Sequence, residues 1–276
     1  MTGMPDASAH ATRLLLTDRG LVESPRWHDG RLWFADWTAG EILTLDANGQ
    51  VQTIVRAPAP PLSFDFGPDG TMYVVAAGQN HLLYLTPGGA LKPFAPFSDR
   101  AAWNEIVVDR VGNIYVNGPR LLLIRPDRKV EIEAEGFEFP NGMAIADGGR
   151  TLVCAESWAR RLTAFDIAAD GHLINRRVWA DLPGPPDGIC FDVSGSIWYA
   201  DVPNGYCRRV REGGEMIEEV KLDRGAFACM LGGASRQTLY IASAKWFGMD
   251  RMADMAGHGQ IRAIEVSVRG AGLPFN

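Results

Sequence analysis

The 276-residue sequence is poor in the residues from which soft-metal, redox and nucleotide sites are built. It has four cysteines, none of which forms a CxxC pair, and five scattered histidines without an HxH or HExxH motif. An imidazole-rich zinc site is therefore not expected. No GxGxxG segment follows a predicted strand into a helix, and there is no P-loop. The cysteine pattern predicts buried, reduced thiols at Cys154, Cys190, Cys207 and Cys229.

Charge and hydrophobicity argue against two further classes of partner. Lysine and arginine number 27 and aspartate and glutamate 33, which gives a formal net charge of −6. There is no basic block or stripe, so we expect no nucleic-acid binding. No apolar run approaches membrane-spanning length, so we expect no membrane partner. The opening MTGMPDASAHA lacks the cationic and apolar regions of a secretory signal. Together these absences predict a cytoplasmic location.

What the sequence does contain is a unit of about 40 residues that recurs six times. In each copy one residue opens an apolar strand, a turn follows, and a second apolar strand comes next, as in NGMAIADGGRTLVCAE from Asn141. The turn carries a glycine in five copies, whereas the sixth is degenerate, with Gln237 at that place. The openers, spaced 37 to 46 residues apart, are Glu23, Ser63, Asn104, Asn141, Asp187 and Cys229.

Third and fourth strand patterns follow in nearly every copy. Four strands per unit of this length are typical of a β-propeller blade. The sixth copy lacks a fourth strand, and one strand, at Thr12–Asp18, is left over at the N-terminus. The sequence therefore predicts an all-β, six-bladed β-propeller of four antiparallel strands per blade, in which the N-terminal strand closes the last blade. We assign residues 1–11 to a flexible N-terminus, 12–266 to the propeller and 267–276 to a C-terminal tail. The alternative is a β-sandwich with coincidental spacing.

The first strand of every blade lines the central channel of a propeller, so the openers should meet around the axis. Four of the six supply carboxylate or amide oxygens. Two carboxylates in a low-dielectric channel need protons, counter-charges or a cation, and no lysine or arginine occupies an opener position. Oxygen donors suit Ca²⁺, Mg²⁺ or Mn²⁺, and Zn²⁺ stays open. The alternative is turn chemistry, because Asn141 and Asp187 each precede a glycine.

The loops on the same face are predicted to form a substrate pocket. Trp103 and Phe139 adjoin two openers and are predicted to be apolar walls, with burial in the core as the alternative. The loops after the second strands present four further candidates for substrate contact: Asn117, Glu156, Trp158 and Asp201. The long loop at 245–259 could be a lid or a subunit contact, and the oligomeric state stays open.

At these residues the chain resembles the senescence marker protein/gluconolactonase family, which includes regucalcin and sugar lactonases. The pieces that carry the resemblance are FPNGMAIADGGRTL, PPDGICFDVSGSIWYAD and ESPRWHDGRLWFAD, within a likeness that runs from about Leu14 to Val266. The resemblance implies a six-bladed propeller with one divalent metal ion in its channel, calcium being our first choice.

The resemblance also implies roles for individual residues. It makes Glu23, Asn141 and Asp187 direct metal ligands, Asn104 a further ligand or a substrate-contacting amide, and Asp187 the general base. The family's sugar lactonases carry an arginine two residues before the position of Asn104, and this chain has Ala102 there. That departure favours a less polar lactone over a highly hydroxylated one.

Three functional hypotheses follow. The first is metal-dependent hydrolysis of a lactone to its hydroxy acid, with the metal polarising the carbonyl and Asp187 acting as general base. The second is phosphotriester or phosphofluoridate hydrolysis, since the family resembles diisopropyl-fluorophosphatase in architecture and ligand set. The third is a non-catalytic calcium-binding propeller, which would not need an aromatic-lined pocket.

Overall fold

The computed structural model describes residues 12–97, 101–146 and 148–271. Within them the chain forms 24 β-strands and one 3₁₀ segment, η1, at Met249–Met255. The strands make six four-stranded antiparallel sheets, which confirms the predicted six-bladed propeller. Each sheet is one blade, numbered here from the N-terminus.

The first three blades contain consecutive strands. Blade 1 consists of β2 (Val22–His28), β3 (Arg31–Asp36), β4 (Glu41–Leu45) and β5 (Val51–Arg56). Blade 2 consists of β6 (Leu62–Phe66), β7 (Met72–Ala76), β8 (His81–Leu85) and β9 (Leu91–Pro96). Blade 3 consists of β10 (Ile106–Val108), β11 (Ile114–Asn117), β12 (Arg120–Ile124) and β13 (Val130–Glu135).

Blades 4 and 5 follow the same order, and blade 6 takes its outer strand from the N-terminus. Blade 4 consists of β14 (Pro140–Ile145), β15 (Thr151–Glu156), β16 (Arg161–Ile167) and β17 (Leu173–Asp181). Blade 5 consists of β18 (Ile189–Phe191), β19 (Ile197–Asp201), β20 (Tyr206–Val210) and β21 (Met216–Lys221). Blade 6 consists of β22 (Gly225–Gly232), β23 (Thr238–Ala244), β24 (Gly259–Glu265) and β1 (Arg13–Arg19).

The ring is closed by pairing between the first and last strands of the chain. β1 lies antiparallel to β24, with Arg13 opposite Ala263 and Leu14 opposite Arg262. Leu15 and Leu16 of β1 pack against the apolar cluster between blades 6 and 1. Closure removes the open strand edge that blade 6 would otherwise present.

The sequence alignment placed the start of blade 6 wrongly. β22 begins at Gly225, and Cys229 lies in its middle, opposite Ile241. The error arises because β22 has the sequence GAFACMLG, in which no polar residue marks where the strand enters the ring. The turn that follows has five residues, as in blades 2 to 5, but its fourth position, which is a left-handed glycine in those blades, is Arg236 (φ 57°).

The core is divided among the interfaces between blades. Six apolar clusters each join two neighbouring blades. At one interface Ala35 of blade 1 packs with Phe64 of blade 2. The first and second strands are buried along nearly their whole length, whereas outer strands such as β5 expose alternate residues. This gradient explains why the inner strands are apolar on both faces.

The segment after β24 returns to the ring. Gly270 pairs with Asp192 beside blade 5, and Ala271 N–H donates to Phe191 O at 3.1 Å. The predicted flexible N-terminus, 1–11, and the last five residues of the predicted tail, 272–276, lie outside the described residues. No helix in the described ranges is long and apolar enough to cross a membrane.

Removing residues 1–19 should destabilise the protein by at least about 2 kcal/mol, because blade 6 loses its outer strand and the ring its closure. The free energy of unfolding in urea measures this. Removing only residues 1–11 is the control, and it should leave the transition unchanged because it deletes no described strand. Equal stability of the two truncated chains would contradict the role assigned to β1.

All four cysteines should resist alkylation in the native protein at pH 8. Each is buried, and burial raises the pKa of the Cys154 thiol to about 12. The pKa values of Cys190 and Cys229 are also raised, the first chiefly by its neighbour Cys229 and the second by burial. Because the thiolate is the nucleophile, raising the pH to 9 should add little reaction. Mass spectrometry after iodoacetamide treatment measures this, with guanidinium-unfolded protein as the reactive control.

Candidate metal centre and active site

Four of the predicted openers lie at the same end of the ring. Glu23 is the second residue of β2 and Asn141 the second of β14, while Asn104 and Asp187 each precede a first strand by two residues. Contacts connect them. Asn104 Nδ2 lies 3.3 Å from Asn141 Oδ1 and donates to it. The Asp187 carboxylate raises the pKa of Glu23.

Irregular backbone directs two of these side chains. The pairing of β2 with β3 shifts register between Glu23 and Arg26, and that of β14 with β15 shifts between Pro140 and Met143. Left-handed residues stand beside both sites, Ser24 at φ 48° and Phe139 at φ 59°. Bulges and strained non-glycine residues re-aim side chains and cluster at functional sites.

Two glycines let neighbouring first strands approach closely here. A Cβ on Gly142 would lie 2.5 Å from Asp187 O, and one on Gly188 would lie 2.5 Å from the Ala228 Cβ. Neither glycine has a positive φ. Asn-Gly and Asp-Gly in this chain therefore serve the packing of blades 4, 5 and 6, and the alternative of turn chemistry does not fit their placement.

The two carboxylates of the centre are almost fully buried, with Glu23 7% and Asp187 9% exposed. Burial first, then the charges of Asp187 and Glu105, raise the pKa of Glu23 well above its ordinary value. Burial, then Glu105, raises the pKa of Asp187. Within the part of the chain that the structure describes, one hydrogen bond, from Ser24 N–H at 3.2 Å, reaches the Glu23 carboxylate and none reaches that of Asp187.

A buried charged cluster next to the centre was missed from the sequence. Arg26 Nη2 donates to Glu105 Oε1 at 3.0 Å, and Arg26 Nε donates to Asp65 Oδ1 at 3.3 Å. The cluster spans blades 1, 2 and 3. The sequence does contain a sign of this cluster, because Arg26 and Asp65 are charged residues inside inner strands that are otherwise apolar. The charge of Arg26 also lowers the pKa of Glu23, but burial and the neighbouring acids outweigh it. This arginine, which is shared by Asp65 and Glu105, therefore compensates Glu23 only in small part.

A small cavity lies farther along the first strands. It has a volume of about 30 Å³ and is lined by residues of first strands from several blades, by Arg26 and Asp65, and by Ala271 of the C-terminal segment. Such a volume holds about one water molecule.

Asn117 and Ser157 hold the amide side of the centre in place. Asn117 is fully buried, donates from Nδ2 to Asn141 O at 2.6 Å, and accepts the Glu105 N–H at 3.0 Å. Ser157 Oγ donates to Pro186 O at 2.6 Å and accepts from Asn141 Nδ2 at 3.4 Å. These contacts link blades 3, 4 and 5 directly beside the predicted ligands.

Asn117 belongs to a set of polar residues that end second strands. The set, one residue in each of four blades, is Asp36, Asn117, Glu156 and Asp201. Asp36 accepts from the Gly20, Thr38 and Ala39 N–H groups at 3.0 to 3.1 Å. We call these four residues the strand-end set.

Glu156 and Asp201 are fully buried and already hydrogen-bonded. Glu156 accepts from the Glu138 N–H at 2.8 Å, from Arg161 Nε at 3.0 Å and from the Thr163 hydroxyl. Asp201 accepts from Asn204 Nδ2 at 2.9 Å and from Arg208 Nη1. These contacts favour a structural role for Glu156 and Asp201. Their contact with a substrate stays a prediction, and the function proposed below does not depend on it.

The three predicted aromatic residues separate into core and rim. Trp103 is 2% exposed and packs 5.1 Å from Phe97 in the core between blades 2 and 3. Its burial favours the alternative of a core residue, although Trp103 also belongs to the lining of a cleft between blades 2 and 3. Phe139 and Trp158 stack with centroids 4.9 Å apart and an interplanar angle of 18°, and Trp158 is 74% exposed.

The long loop of blade 6 docks on its own ring. Met255 of η1 is fully buried and packs with Leu21, Phe227 and Ala244. Phe227 O accepts the Gly188 N–H at 2.8 Å, next to Asp187. The loop thus covers part of the opener end near the centre. This arrangement favours a lid over a subunit contact.

The donor set fits a divalent cation. The described residues contain no group of three or more His, Cys, Asp and Glu arranged to hold a metal ion, but the predicted set is of another type, with two carboxylates and two neutral amides. Buried carboxylates that accept almost no hydrogen bonds need a positively charged partner. Carboxylate and amide oxygens are the ligands that Ca²⁺ and Mg²⁺ take.

The chain is similar to several known proteins over most of its length. The 6-deoxy-6-sulfogluconolactonase of Pseudomonas putida is 25% identical over 275 residues, covering 92% of this chain and 94% of that protein. Regucalcin of Xenopus laevis is 26% identical over 248 residues, covering 80% and 82%. The solved structure of a luciferin-regenerating enzyme superposes with a TM-score of 0.80 at 18% identity, covering 95% and 97%.

The family model described as the SMP-30/gluconolactonase/LRE-like region matches residues 21–245. That range begins two residues before Glu23 and ends just after β23, so it includes all four predicted ligands. It covers most of the chain, and it agrees with the resemblance carried by the sequence motifs. The chain therefore belongs to the SMP-30/gluconolactonase/LRE-like family.

Proposed function

We propose that this protein is a divalent-metal-dependent lactonase that opens a lactone ring to its hydroxy acid. One observation carries the proposal: two buried carboxylates, Glu23 and Asp187, lie together with raised pKa values and almost no hydrogen-bond donors. The names of the relatives, among them a sulfogluconolactonase, point to the same reaction class.

Glu23, Asn141 and Asp187 would hold the ion, and Asn104 would be a further ligand or a contact to the substrate. A bound divalent cation supplies a Lewis acid for the ring carbonyl and lowers the pKa of a water molecule. Because two of the four donors are neutral amides, the set carries a formal charge of only −2. Calcium is our first choice, and Zn²⁺, Mn²⁺ and Mg²⁺ are alternatives.

Asp187 acts as the general base in the proposed reaction. Its carboxylate takes a proton from the attacking water while the water oxygen bonds to the carbonyl carbon. The bond between that carbon and the ring oxygen then breaks, and the proton held by Asp187 passes to the ring oxygen, which gives the hydroxyl of the product and restores the carboxylate. Burial raises the pKa of the Asp187 carboxyl above its ordinary value, and a carboxylate of higher pKa is a stronger base.

Removing divalent ions should abolish lactone hydrolysis, and adding them back should restore it. Asp187→Asn and Glu23→Gln should each lower kcat/KM by at least about 100-fold with the metal present. Both substitutions preserve side-chain size. A pH-indicator assay that follows acid release from δ-valerolactone, with calorimetric titration of Ca²⁺, Mg²⁺, Mn²⁺ and Zn²⁺, measures this.

The control is Asp69→Asn, which changes a carboxylate in the β6–β7 turn at the opposite end of blade 2. It should leave turnover and metal affinity unchanged. Turnover that persists in chelator or in Asp187→Asn would refute the proposal. Tight metal binding without turnover of any lactone would favour a binding protein, and turnover confined to phosphotriesters would favour the second hydrolase hypothesis.

Asn117→Ala should weaken metal binding by about 10- to 100-fold, although Asn117 is not a ligand. The substitution leaves Asn141 O and the Glu105 N–H without their partner, and so loosens the residues that orient the centre. Calorimetric titration gives the affinity, and circular dichroism checks folding. An unchanged dissociation constant in a folded variant would show that Asn117 does not position the site.

A further inference from the structure

Among the described residues, the polar groups that end the second strands are already hydrogen-bonded within the ring and so are not free to bind a hydroxylated ligand. The strand-end set is buried, and its carboxylates and amide are hydrogen-bonded within the ring. The arginines beside Glu156 and Asp201, Arg161 and Arg208, are ion-paired with those acids. In blades 2 and 6 the same strand-end position holds Ala76 and Ala244.

The stacked pair of Phe139 and Trp158 stands directly beside the centre. Phe139 is separated from Asn141 only by Pro140, whose carbonyl accepts from Asn104 Nδ2 at 3.3 Å. Trp158 follows Ser157, whose hydroxyl contacts Asn141. Two backbone hydrogen bonds fix the pair: Ser157 N–H donates to Phe139 O at 3.0 Å, and Trp158 N–H donates to Glu138 O at 3.2 Å.

The backbone at Phe139 is held in a conformation that an aromatic residue rarely adopts. Its φ of 59° lies in the left-handed region, which disfavours residues with a large side chain. In this conformation the ring lies against Trp158, which keeps 74% of its surface exposed. A planar apolar face is therefore presented to solvent at the rim rather than used in the core.

An aromatic contact lies on another side of the centre. Beside Asp187, Phe227 packs edge-on against Trp246, with ring centroids 5.6 Å apart. Toward blades 2 and 3 lies a cleft of about 380 Å³. Its described lining contains no charged residue and consists of Pro60, Pro61, Ala76, Ala77, Gly78, Gln79, Ala101, Ala102 and Trp103.

From this distribution we infer that the substrate is a lactone with a planar apolar substituent, an aryl group, that lies on the Phe139–Trp158 face. The inference rests on the proposed lactonase function and adds the substrate class. An aryl ring stacks on an aromatic face and needs no hydrogen-bond donors. A sugar lactone would leave several hydroxyl groups without hydrogen-bond partners on the Phe139–Trp158 face, which disfavours its binding.

Lys245 and Arg160 are exposed cations at this end of the ring through which an anionic lactone would compete for the site. Lys245 follows β23, and Arg160 lies two residues after Trp158 in the β15–β16 turn. Anionic lactones therefore form a separate arm of the test.

The test compares kcat/KM for four δ-lactones with the metal-loaded protein: δ-valerolactone, its phenyl-substituted derivative, glucono-δ-lactone and a carboxymethyl-substituted derivative. We expect the phenyl derivative to be the best substrate. Trp158→Ala should lower kcat/KM for the phenyl derivative by about 2- to 10-fold, through KM. Unsubstituted δ-valerolactone should lose less kcat/KM than the phenyl derivative, and Trp158→Phe should restore most of the loss.

Val111→Ala is the matched control, because Val111 is 73% exposed in the β10–β11 turn at the opposite end of the ring. It should change none of the four values. A higher kcat/KM for glucono-δ-lactone or the anionic derivative, or an equal loss on all four substrates in Trp158→Ala, would overturn this inference and leave the lactonase proposal standing. Absence of turnover on every lactone with every metal would refute both.

Discussion

Apolar packing between neighbouring blades is the constraint on which the rest of this structure depends. Each sheet buries both faces of its inner strands against the next, and the pairing of β1 with β24 extends this packing around the full circle. Only a closed ring brings residues about 40 positions apart in sequence to one axis. The close approach of Gly142 and Gly188 to the neighbouring strands shows how tightly the ring packs beside the centre.

The same packing determines which polar residues are available for chemistry. The strand-end set ties loops and strands to each other within and between blades, so its carboxylates and amide act as fixed connections of the ring. Among the described residues, the Glu23 carboxylate accepts one hydrogen bond and the Asp187 carboxylate accepts none. This contrast, between acids with several donors and acids with nearly none, separates the structural polar groups from the candidate metal ligands, although both kinds are buried at the same end.

The repeat was sufficient to predict the fold, because six copies of an apolar strand pattern with one period admit few architectures other than a propeller. Five of the six openers could be predicted for the same reason, since ring geometry brings equivalent positions together. The opener of blade 6 was misplaced because β22 has no polar residue at its start. What could not be predicted depends on contacts across blades. Glu156 and Asp201 resemble site residues in sequence, and their hydrogen-bond partners favour a structural role. The role of Arg26 was not predicted because this residue does not open a strand. The two acids that it contacts, Asp65 and Glu105, come from other blades.

The pairing of β1 with β24 has a consequence for the order in which the ring can assemble. Of the described strands, β1 is the first to be synthesised and β24 the last. β1 therefore waits for its neighbour until synthesis of the chain is almost complete, and blade 6 can reach its four strands only then.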